Sequence, residues 1–226
     1  AVALSGKAFF DKAAAAKALA PHKLPAYFMD FETIQFGVPI WKGTRPYQQI
    51  TFQFSMHRLS RTGKLTHESF LDLSGKDPSL AFAKALIEAA GNSGPIFVYN
   101  AGFESARIKE LASRFPRLAS GLRAILARIV DLLPVARSHY CHPAQEGSWS
   151  IKAVLPALCP DLNYASLDGV QDGGMAMTAF LEAVHANTSP LRKAEIERQL
   201  HAYCEMDTFA LVRLWTAFSG THLKVS

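Results

Sequence analysis

The sequence has little cysteine and no long apolar run. Its three cysteines, Cys141, Cys159 and Cys204, cannot all pair within one chain. This excludes a complete disulfide framework and indicates a reduced, cytoplasmic protein. No apolar stretch approaches the length that crosses a bilayer, and no basic-then-apolar segment stands at the front. We therefore expect neither a membrane partner nor a secretion signal.

The chain also lacks internal repeats, low-complexity tracts and any linker rich enough in glycine or proline to divide it. Its 226 residues, 49% of them hydrophobic, are enough for one sizeable domain. The formal net charge of +5 is a mild excess. Such a charge is compatible with an anionic partner but does not identify one.

Strand-like runs stand near the front of the chain, and helices dominate the rest. After an Ala-rich segment over residues 5–20, which we expect to be helical, come AYFMDFETI, QQITFQFSMHRL and LTHESFLDL. The Gly-containing loop SRTGK between the last two predicts an antiparallel hairpin. Further short apolar runs, GPIFVYN and ARIVDL, alternate with amphipathic helices. This order predicts an α/β fold, with a central mixed sheet that has an antiparallel hairpin portion and is flanked by helices.

Two carboxylates stand inside the first of these strands. Residues two apart in a strand point to the same face, so Asp30 and Glu32 share a face with Phe28. Like charges side by side in a low-dielectric place repel each other, and removing either from water costs free energy. Such a pair indicates a ligand that compensates both charges.

Two further acidic residues occupy comparable positions. On the long last helix, Tyr203 and Asp207 fall on a stripe that we expect to face the core. Glu104 falls in the first turn of the helix that follows GPIFVYN. Each is ordinary by itself, because a Tyr-x-x-x-Asp pattern is short and acidic side chains suit a helix start. Together with the strand pair they form a set of oxygen ligands that suits hard divalent cations.

Three motifs now stand in order: DFE at residues 30–32, NAGFE at 100–104 and YCEMD at 203–207. They resemble the motifs of the DEDD superfamily of 3′–5′ exonucleases, in its tyrosine branch (DEDDy). The sequence around these motifs is also similar to that of an uncharacterised bacterial family catalogued as a domain of unknown function, whose members are assigned a ribonuclease-H-like fold. The resemblance implies a ribonuclease-H-like exonuclease domain over residues 26–220, after an N-terminal helical extension over 1–25. It is compatible with the C-terminal part of a longer protein.

The resemblance implies a site that holds two ions of Mg²⁺ or Mn²⁺. In it, Asp30, Glu32 and Asp207 hold the ion that activates the attacking water, while Asp30 and Glu104 hold the second ion near the leaving 3′ oxygen. Tyr203 orients that water or helps to deprotonate it. The superfamily usually has Asp where this chain has Glu104. The longer side chain can still ligate a metal through a water or a shifted backbone.

The resemblance also implies substrate contacts. Thr33, directly after the acidic pair, would meet the terminal sugar through its backbone, and Asn100 and Phe103 belong to the second motif. Phe103 either packs near a base or fills the core side of its amphipathic helix. Lys42 and Arg45 lie in the loop WKGTRPY, where cations alternate with aromatic rings. This composition suits a single strand of nucleic acid, and a solvated loop between two strands would share it.

We therefore expect a two-metal-ion exonuclease that hydrolyses phosphodiester bonds from the 3′ end of single-stranded DNA or RNA. Two alternatives stay open: a catalytically weak nucleic-acid-binding module that keeps the fold, and an endonuclease of the same fold. DNA and RNA differ by the 2′-hydroxyl, which no motif here reports. Asp131, in IVDLLPVA, is either a helix cap or a residue at the sheet edge near the site.

Overall fold

The computed structural model describes residues 6–162 and 164–221. Its strands are β1 (Phe9–Phe10), β2 (Ala26–Ile34), β3 (Ile50–Leu59), β4 (Leu65–Leu71), β5 (Ile96–Val98), β6 (Ile129–Asp131) and β7 (Tyr140–Cys141). Its α-helices are α1 (Lys12–Leu19), α2 (Ser79–Ala89), α3 (Gly102–Arg114), α4 (Ala119–Leu126), α5 (Leu133–His139), α6 (Ile151–Leu158), α7 (Gly173–Val184) and α8 (Pro190–Ser219). Short 3₁₀ turns occur at Pro116–Leu118, Pro143–Gln145 and Tyr164–Ser166.

Five of the strands form one mixed sheet in the order β4-β3-β2-β5-β6. The neighbours β2, β3 and β4 are antiparallel, whereas β5 and β6 run parallel to β2. This confirms the predicted α/β fold, with its central mixed sheet, antiparallel hairpin portion and flanking helices, and the arrangement is compatible with a ribonuclease-H-like fold. β1 and β7 form a separate antiparallel sheet of two strands.

Alternation along β2 divides the core into two layers. Tyr27, Met29 and Phe31 pack with apolar residues of α2, α3 and α4 on one face of the sheet. Phe28 points to the other face, where its ring lies 5.7 Å from that of Trp215 on α8. A strand covered on both faces in this way is expected to be apolar almost throughout. The acidic pair of β2 is the exception, and it belongs to the face that α8 covers.

α8 crosses this face over 30 residues. Ser189 caps its start, and Gly220, with a φ of 70°, ends it in the left-handed conformation that favours glycine. Leu200, in the first half, packs into one apolar cluster, and Leu214, in the second half, packs into another. Asp207 lies between Leu200 and Leu214 along the helix, and so between the segments that pack into the two apolar clusters.

The Ala-rich segment at the front is helical only in part. The helix predicted over residues 5–20 was placed too early: it begins at Lys12, because Asp11 caps it by accepting a hydrogen bond from Ala14 N. Before this cap, Phe9–Phe10 form β1. Two-residue strands carry too little alternation for the sequence to reveal them.

Residues 1–5 of the predicted N-terminal extension lie outside the described residues. The remainder packs closely on the rest of the chain. Leu19 is buried in the apolar cluster that includes Trp215 of α8, and the Phe10 ring meets those of Tyr140 and Phe218 edge-on. The segment therefore shares a core with the central sheet, while the proposed domain division at residue 25 stays a prediction.

Although α8 has 30 residues, no helix within residues 6–162 and 164–221 combines the length and apolar character that a bilayer crossing requires.

Candidate metal centre

Three carboxylates from two distant segments meet above the central strand. One oxygen from each of Asp30, Glu32 and Asp207 lies within 4.8 Å of the other two. Glu32 and Asp207 are each 7% exposed, whereas Asp30 is half-buried and faces a cleft. The structure thus brings together three of the four acidic residues that the sequence indicates as metal ligands.

Polar side chains of β3 hold α8 above these carboxylates. Gln53 Nε2 donates to a carbonyl oxygen of α8, that of Leu200, at 2.8 Å. Further along the helix, Thr208 Oγ1 lies 2.6 Å from Ser55 Oγ and 2.8 Å from His57 Nδ1. The side chains of all these polar residues are buried. Because the anchors lie on both sides of Asp207 along the helix, they set the position of α8 along the sheet.

Asp207 is held by two tyrosines. The hydroxyl of Tyr164, in the 3₁₀ turn after α6, donates to Asp207 Oδ1 at 2.8 Å. Tyr203, one turn before Asp207 on α8, is 4% exposed, and its hydroxyl lowers the pKa of the Asp207 carboxyl group. Lys152 Nζ donates to the Tyr203 hydroxyl at 3.1 Å. The tyrosine predicted from the sequence is therefore one member of a larger hydrogen-bonded group.

Tyr164 and Lys152 were not predicted from the sequence. Lys152 is the single charged residue in the otherwise apolar helix IKAVLPAL, a signal that could have drawn attention to it. Tyr164 lies in the irregular segment between α6 and α7, where no helical or strand period operates. No feature of the sequence marks it.

Glu104 lies beside the triad of carboxylates, in the first turn of α3. Its side chain is 2% exposed, and within the described part of the chain Oε2 has no hydrogen-bond partner. Its charge is close enough to Asp30 to raise the pKa of that group. A buried carboxylate oxygen without a donor is costly unless something else binds it. A second cation between Glu104 and Asp30 would satisfy this oxygen.

Asp131 positions the turn that leads to Glu104. It ends β6, at the edge of the sheet. Its carboxylate accepts hydrogen bonds from Asn100 N at 2.9 Å, Ala101 N at 3.0 Å and Leu133 N at 2.9 Å. Asp131 thus combines both roles that the sequence left open, because it caps the start of α5 and lies at the sheet edge near the site. It also fixes the backbone of Asn100, whose φ of 69° is unusual for a residue with a side chain.

Burial raises the pKa of each of the four acidic groups. The pKa of Glu32 rises to about 8, because burial and the charge of Asp207 outweigh the opposing charge of Lys152. The pKa of Glu104 also rises to about 8, mainly through burial. For Asp30, burial followed by the charges of its acidic neighbours raises the pKa well above its usual range, and burial raises the pKa of Asp207 as well. A divalent cation among them would offset this repulsion and favour the ionised forms.

A cleft of about 620 Å³ opens over the exposed side of the carboxylates. Asp30 and Asp207 form its acidic end, and Lys152, Arg137 and Trp149 also line it. Its volume is typical of a site for a small molecule or for one end of a polymer. Cations and an aromatic ring next to an acidic end suit a ligand that is anionic and carries a planar group.

The residues predicted to contact substrate near the motifs lie at different depths. Asn100 is exposed and lines the cleft. Thr33 is buried, next to the irregularity in the β2–β3 register that follows Glu32. Phe103 is partly buried against the core on the other face of the sheet, with the Arg107 guanidinium 5.5 Å from its ring. Of these three contacts, the cleft includes Asn100 alone.

The loop that carries Lys42 and Arg45 packs along α3 and away from the cleft lining. Arg45 pairs with Glu110 at 3.0 Å, and Arg114 donates to the Lys42 carbonyl oxygen at 3.3 Å. Neither predicted cation is among the residues that line the cleft. The cations that do line the cleft are Arg137 and Lys152, and neither was predicted from the sequence.

Fold and site together define an α/β protein with a buried carboxylate cluster at the end of a cleft. Residues 27–150 match the family described as Domain of unknown function (DUF2779). Because this match covers more than half of the 226 residues, the chain belongs to that family. No curated protein and no solved structure matches the chain. The matched region contains the carboxylates of β2 and α3, whereas the Tyr203–Asp207 turn of α8 lies beyond it.

Proposed function

We propose that this chain is a metal-dependent 3′–5′ exonuclease of single-stranded DNA or RNA, related to the tyrosine branch of the DEDD superfamily. The observation that carries the proposal is the convergence of Asp30, Glu32 and Asp207 within 4.8 Å at the acidic end of the cleft. A buried cluster of this kind lowers stability, and a purely structural protein gains nothing from it. Metal-assisted hydrolysis of an anionic substrate would explain both the cluster and the cations that line the cleft.

The chemistry of the donors fits hard divalent cations. All are carboxylate oxygens, which Mg²⁺ and Mn²⁺ prefer, and the buried Glu104 Oε2 lacks another partner among the described residues. Asp30, Glu32 and Asp207 would hold one ion, and Asp30 and Glu104 would hold the other. When bound, such ions acidify the attacking water and stabilise the charge on the leaving 3′ oxygen.

Tyr203 acts as a hydrogen-bond donor in this scheme. Burial and the charges of the nearby carboxylates raise its pKa above the usual tyrosine range, so its hydroxyl keeps its proton. Lys152 donates to the phenolic oxygen, which turns the hydroxyl proton towards the carboxylates or the attacking water. Tyr203 therefore orients its neighbours and does not remove a proton from them.

A degradation time course tests the proposal. The full chain is incubated with 5′-labelled single-stranded DNA or RNA in Mg²⁺, Mn²⁺ or chelator. We expect a ladder that shortens from the 3′ end, nucleoside monophosphates as products, and loss of both in chelator. Asp30→Asn, which removes one ligand charge, should abolish shortening. Glu88→Gln is the matched control, because Glu88 is exposed on α2, outside the centre.

Other products would identify the alternatives. Short oligonucleotides without single-nucleotide steps would indicate an endonuclease of the same fold. Metal-independent binding of the labelled strand, with no shortening on either substrate, would indicate a nucleic-acid-binding module and would overturn the enzymatic proposal. Comparison of the DNA and RNA arms also identifies the preferred substrate, which neither the motifs nor the cleft reports.

A further inference from the structure

Lys152 stands where the cleft meets the carboxylate cluster. Its Nζ donates to the carbonyl oxygen of Gln171 at 2.9 Å and to the hydroxyl of Tyr203 at 3.1 Å. The same nitrogen lies 4.7 Å from the ring centroids of Tyr164 and Tyr203. An ammonium group with these contacts cannot turn towards bulk water without losing them. Its charge is therefore held at a fixed position before any ligand arrives.

Within the described part of the chain, one donor of this ammonium group has no hydrogen-bond partner. A lysine ammonium has three N–H groups, and Gln171 and Tyr203 account for two of them. Lys152 also lines the cleft together with Asp30 and Asp207. The remaining N–H group is therefore available to a ligand that enters the cleft.

Compensation of nearby acidic groups explains Lys152 only before a metal ion binds, when its charge favours the ionised forms of Glu32 and Asp207. Asp131 and Asp172 lie close to the cluster, but both accept hydrogen bonds from backbone N–H groups. Two divalent ions would neutralise the four ligand carboxylates. The ammonium group then supplies a positive charge where an anionic phosphodiester must approach.

We propose that Lys152 is a catalytic residue of this centre, which donates a hydrogen bond to a nonbridging oxygen of the scissile phosphodiester. The inference rests on the proposed nuclease function. In the reaction, the oxygen of water forms a bond to phosphorus and the bond from phosphorus to the 3′ oxygen breaks. The leaving 3′ oxygen gains a proton, the attacking water loses one, and a nucleoside 5′-monophosphate is released. Lys152 keeps its own protons and stabilises the negative charge that grows on the phosphoryl oxygens.

Substitution of Lys152 tests this role. Lys152→Met keeps most of the side-chain volume and removes the charge, and we expect it to lower kcat about 100-fold or more with a smaller change in KM. Lys152→Arg keeps the charge and should recover part of the loss. Lys84→Met removes the same charge from an exposed position on α2 and should match the wild type. Cleavage by Lys152→Met within about threefold of wild type would overturn the proposal.

A Mn²⁺ titration separates catalysis from support of the fold. If Lys152 acts on substrate, Lys152→Met should bind Mn²⁺ at least as tightly as wild type, because the variant removes a repelling positive charge. The titration is made above the Glu32 pKa of about 8, since Lys152 opposes the rise of that pKa and its loss favours the protonated carboxyl group at lower pH. Weaker Mn²⁺ binding by this variant would mean that Lys152 only keeps the carboxylates assembled, and would overturn its assignment as a catalytic residue. Thermal unfolding of both proteins shows whether either result reflects a loss of folding.

Binding of thymidine 5′-monophosphate in Mn²⁺, measured by calorimetry, distinguishes failure of this inference from failure of the nuclease proposal. Should wild type bind the nucleotide without cleaving nucleic acid, the nuclease proposal fails, and with it the catalytic role. An affinity at least about tenfold lower for Lys152→Met would then support phosphate recognition by Lys152 alone. Equal affinity in wild type and Lys152→Met would show that Lys152 does not contact the phosphate group either.

Discussion

The hydroxyl of Tyr164 donates a 2.8 Å hydrogen bond to Oδ1 of Asp207, across 43 positions of sequence. This bond lowers the pKa of Asp207 and so opposes the rise that burial causes. The Tyr164 ring also lies beneath the ammonium group of Lys152. Through these two contacts, the irregular segment between α6 and α7 becomes part of the candidate metal centre.

Tyr164→Phe should weaken metal binding without unfolding the protein. The substitution keeps the ring under Lys152 and removes only the hydroxyl. A hydrogen bond to a charged group contributes about 1.5–3 kcal/mol, so we expect Mn²⁺ affinity near neutral pH to fall by at least about tenfold, as measured by calorimetry. Tyr140→Phe is a matched control, because the buried Tyr140 hydroxyl has no hydrogen-bond partner in the described part of the chain. Unchanged Mn²⁺ affinity in Tyr164→Phe would show that its hydroxyl does not support Asp207.

Metal binding should release protons. The pKa values of Glu32 and Glu104 both lie at about 8, so below that pH a cation must displace protons from these carboxyl groups. We therefore expect Mn²⁺ affinity to rise from about pH 6 to about pH 8 and to level off above it. Calorimetry in buffers of different ionisation enthalpy counts the released protons. Affinity that is flat over this range would contradict the shifted pKa values.

Stability in chelator should change in the opposite direction. Glu32 and Glu104 hold protons more tightly in the folded chain than in the unfolded chain, where such groups titrate near 4.5. Their contribution to stability is therefore complete below that value and is lost as the pH rises through about 8. Over this range, the Tm of the wild type should fall relative to that of a variant with Gln at both positions. A parallel pH dependence in the two proteins would argue against the predicted linkage.

The three converging carboxylates of the candidate centre could be predicted because each belongs to a local period. Strand alternation places Asp30 and Glu32 on one face, and the 3.6-residue helical repeat places Asp207 on the inward stripe of α8. The sheet also followed from short apolar runs between turn signals. The sequence could not show that Asp207 lies close to Asp30 and Glu32, because the distance between them depends on the packing of α8 against β2.

Other parts of the site depend on contacts that no local period encodes. Tyr164 and Lys152 reach α8 from an irregular segment and a short helix, across 43 and 51 positions. Arg45 was predicted to contact substrate, and its exposed guanidinium forms a long-range ion pair with Glu110 of α3. Composition identifies a cation and not its partner, so this loop could not be placed from the sequence.

Thr208→Val should destabilise the protein and disturb the centre. The hydroxyl of Thr208 is buried and lies within hydrogen-bond distance of Ser55 and His57. Its loss leaves the buried His57 Nδ1 without a partner among the described residues, whereas Ser55 Oγ keeps its contact with His67. We expect the free energy of unfolding, measured in urea, to fall by about 1–3 kcal/mol. Thr216→Val removes a hydroxyl that bonds only within α8, to the Val212 carbonyl oxygen, and should cost less. Equal losses in both variants would argue against the anchoring role of Thr208.

Glu104→Gln should reduce the number of bound Mn²⁺ ions from two to one. Oε2 of Glu104 is buried without a partner among the described residues, and the neutral amide offers a weaker ligand for the second ion while the triad of Asp30, Glu32 and Asp207 stays intact. Stoichiometry can be measured by electron paramagnetic resonance of free Mn²⁺ during a titration. Glu110→Gln, on the same helix but paired with arginine, should keep the wild-type number of sites. If Glu104→Gln still binds two ions, Glu104 is not a ligand of the second ion. Glu104→Asp should keep both ions if the shorter side chain still reaches the second one.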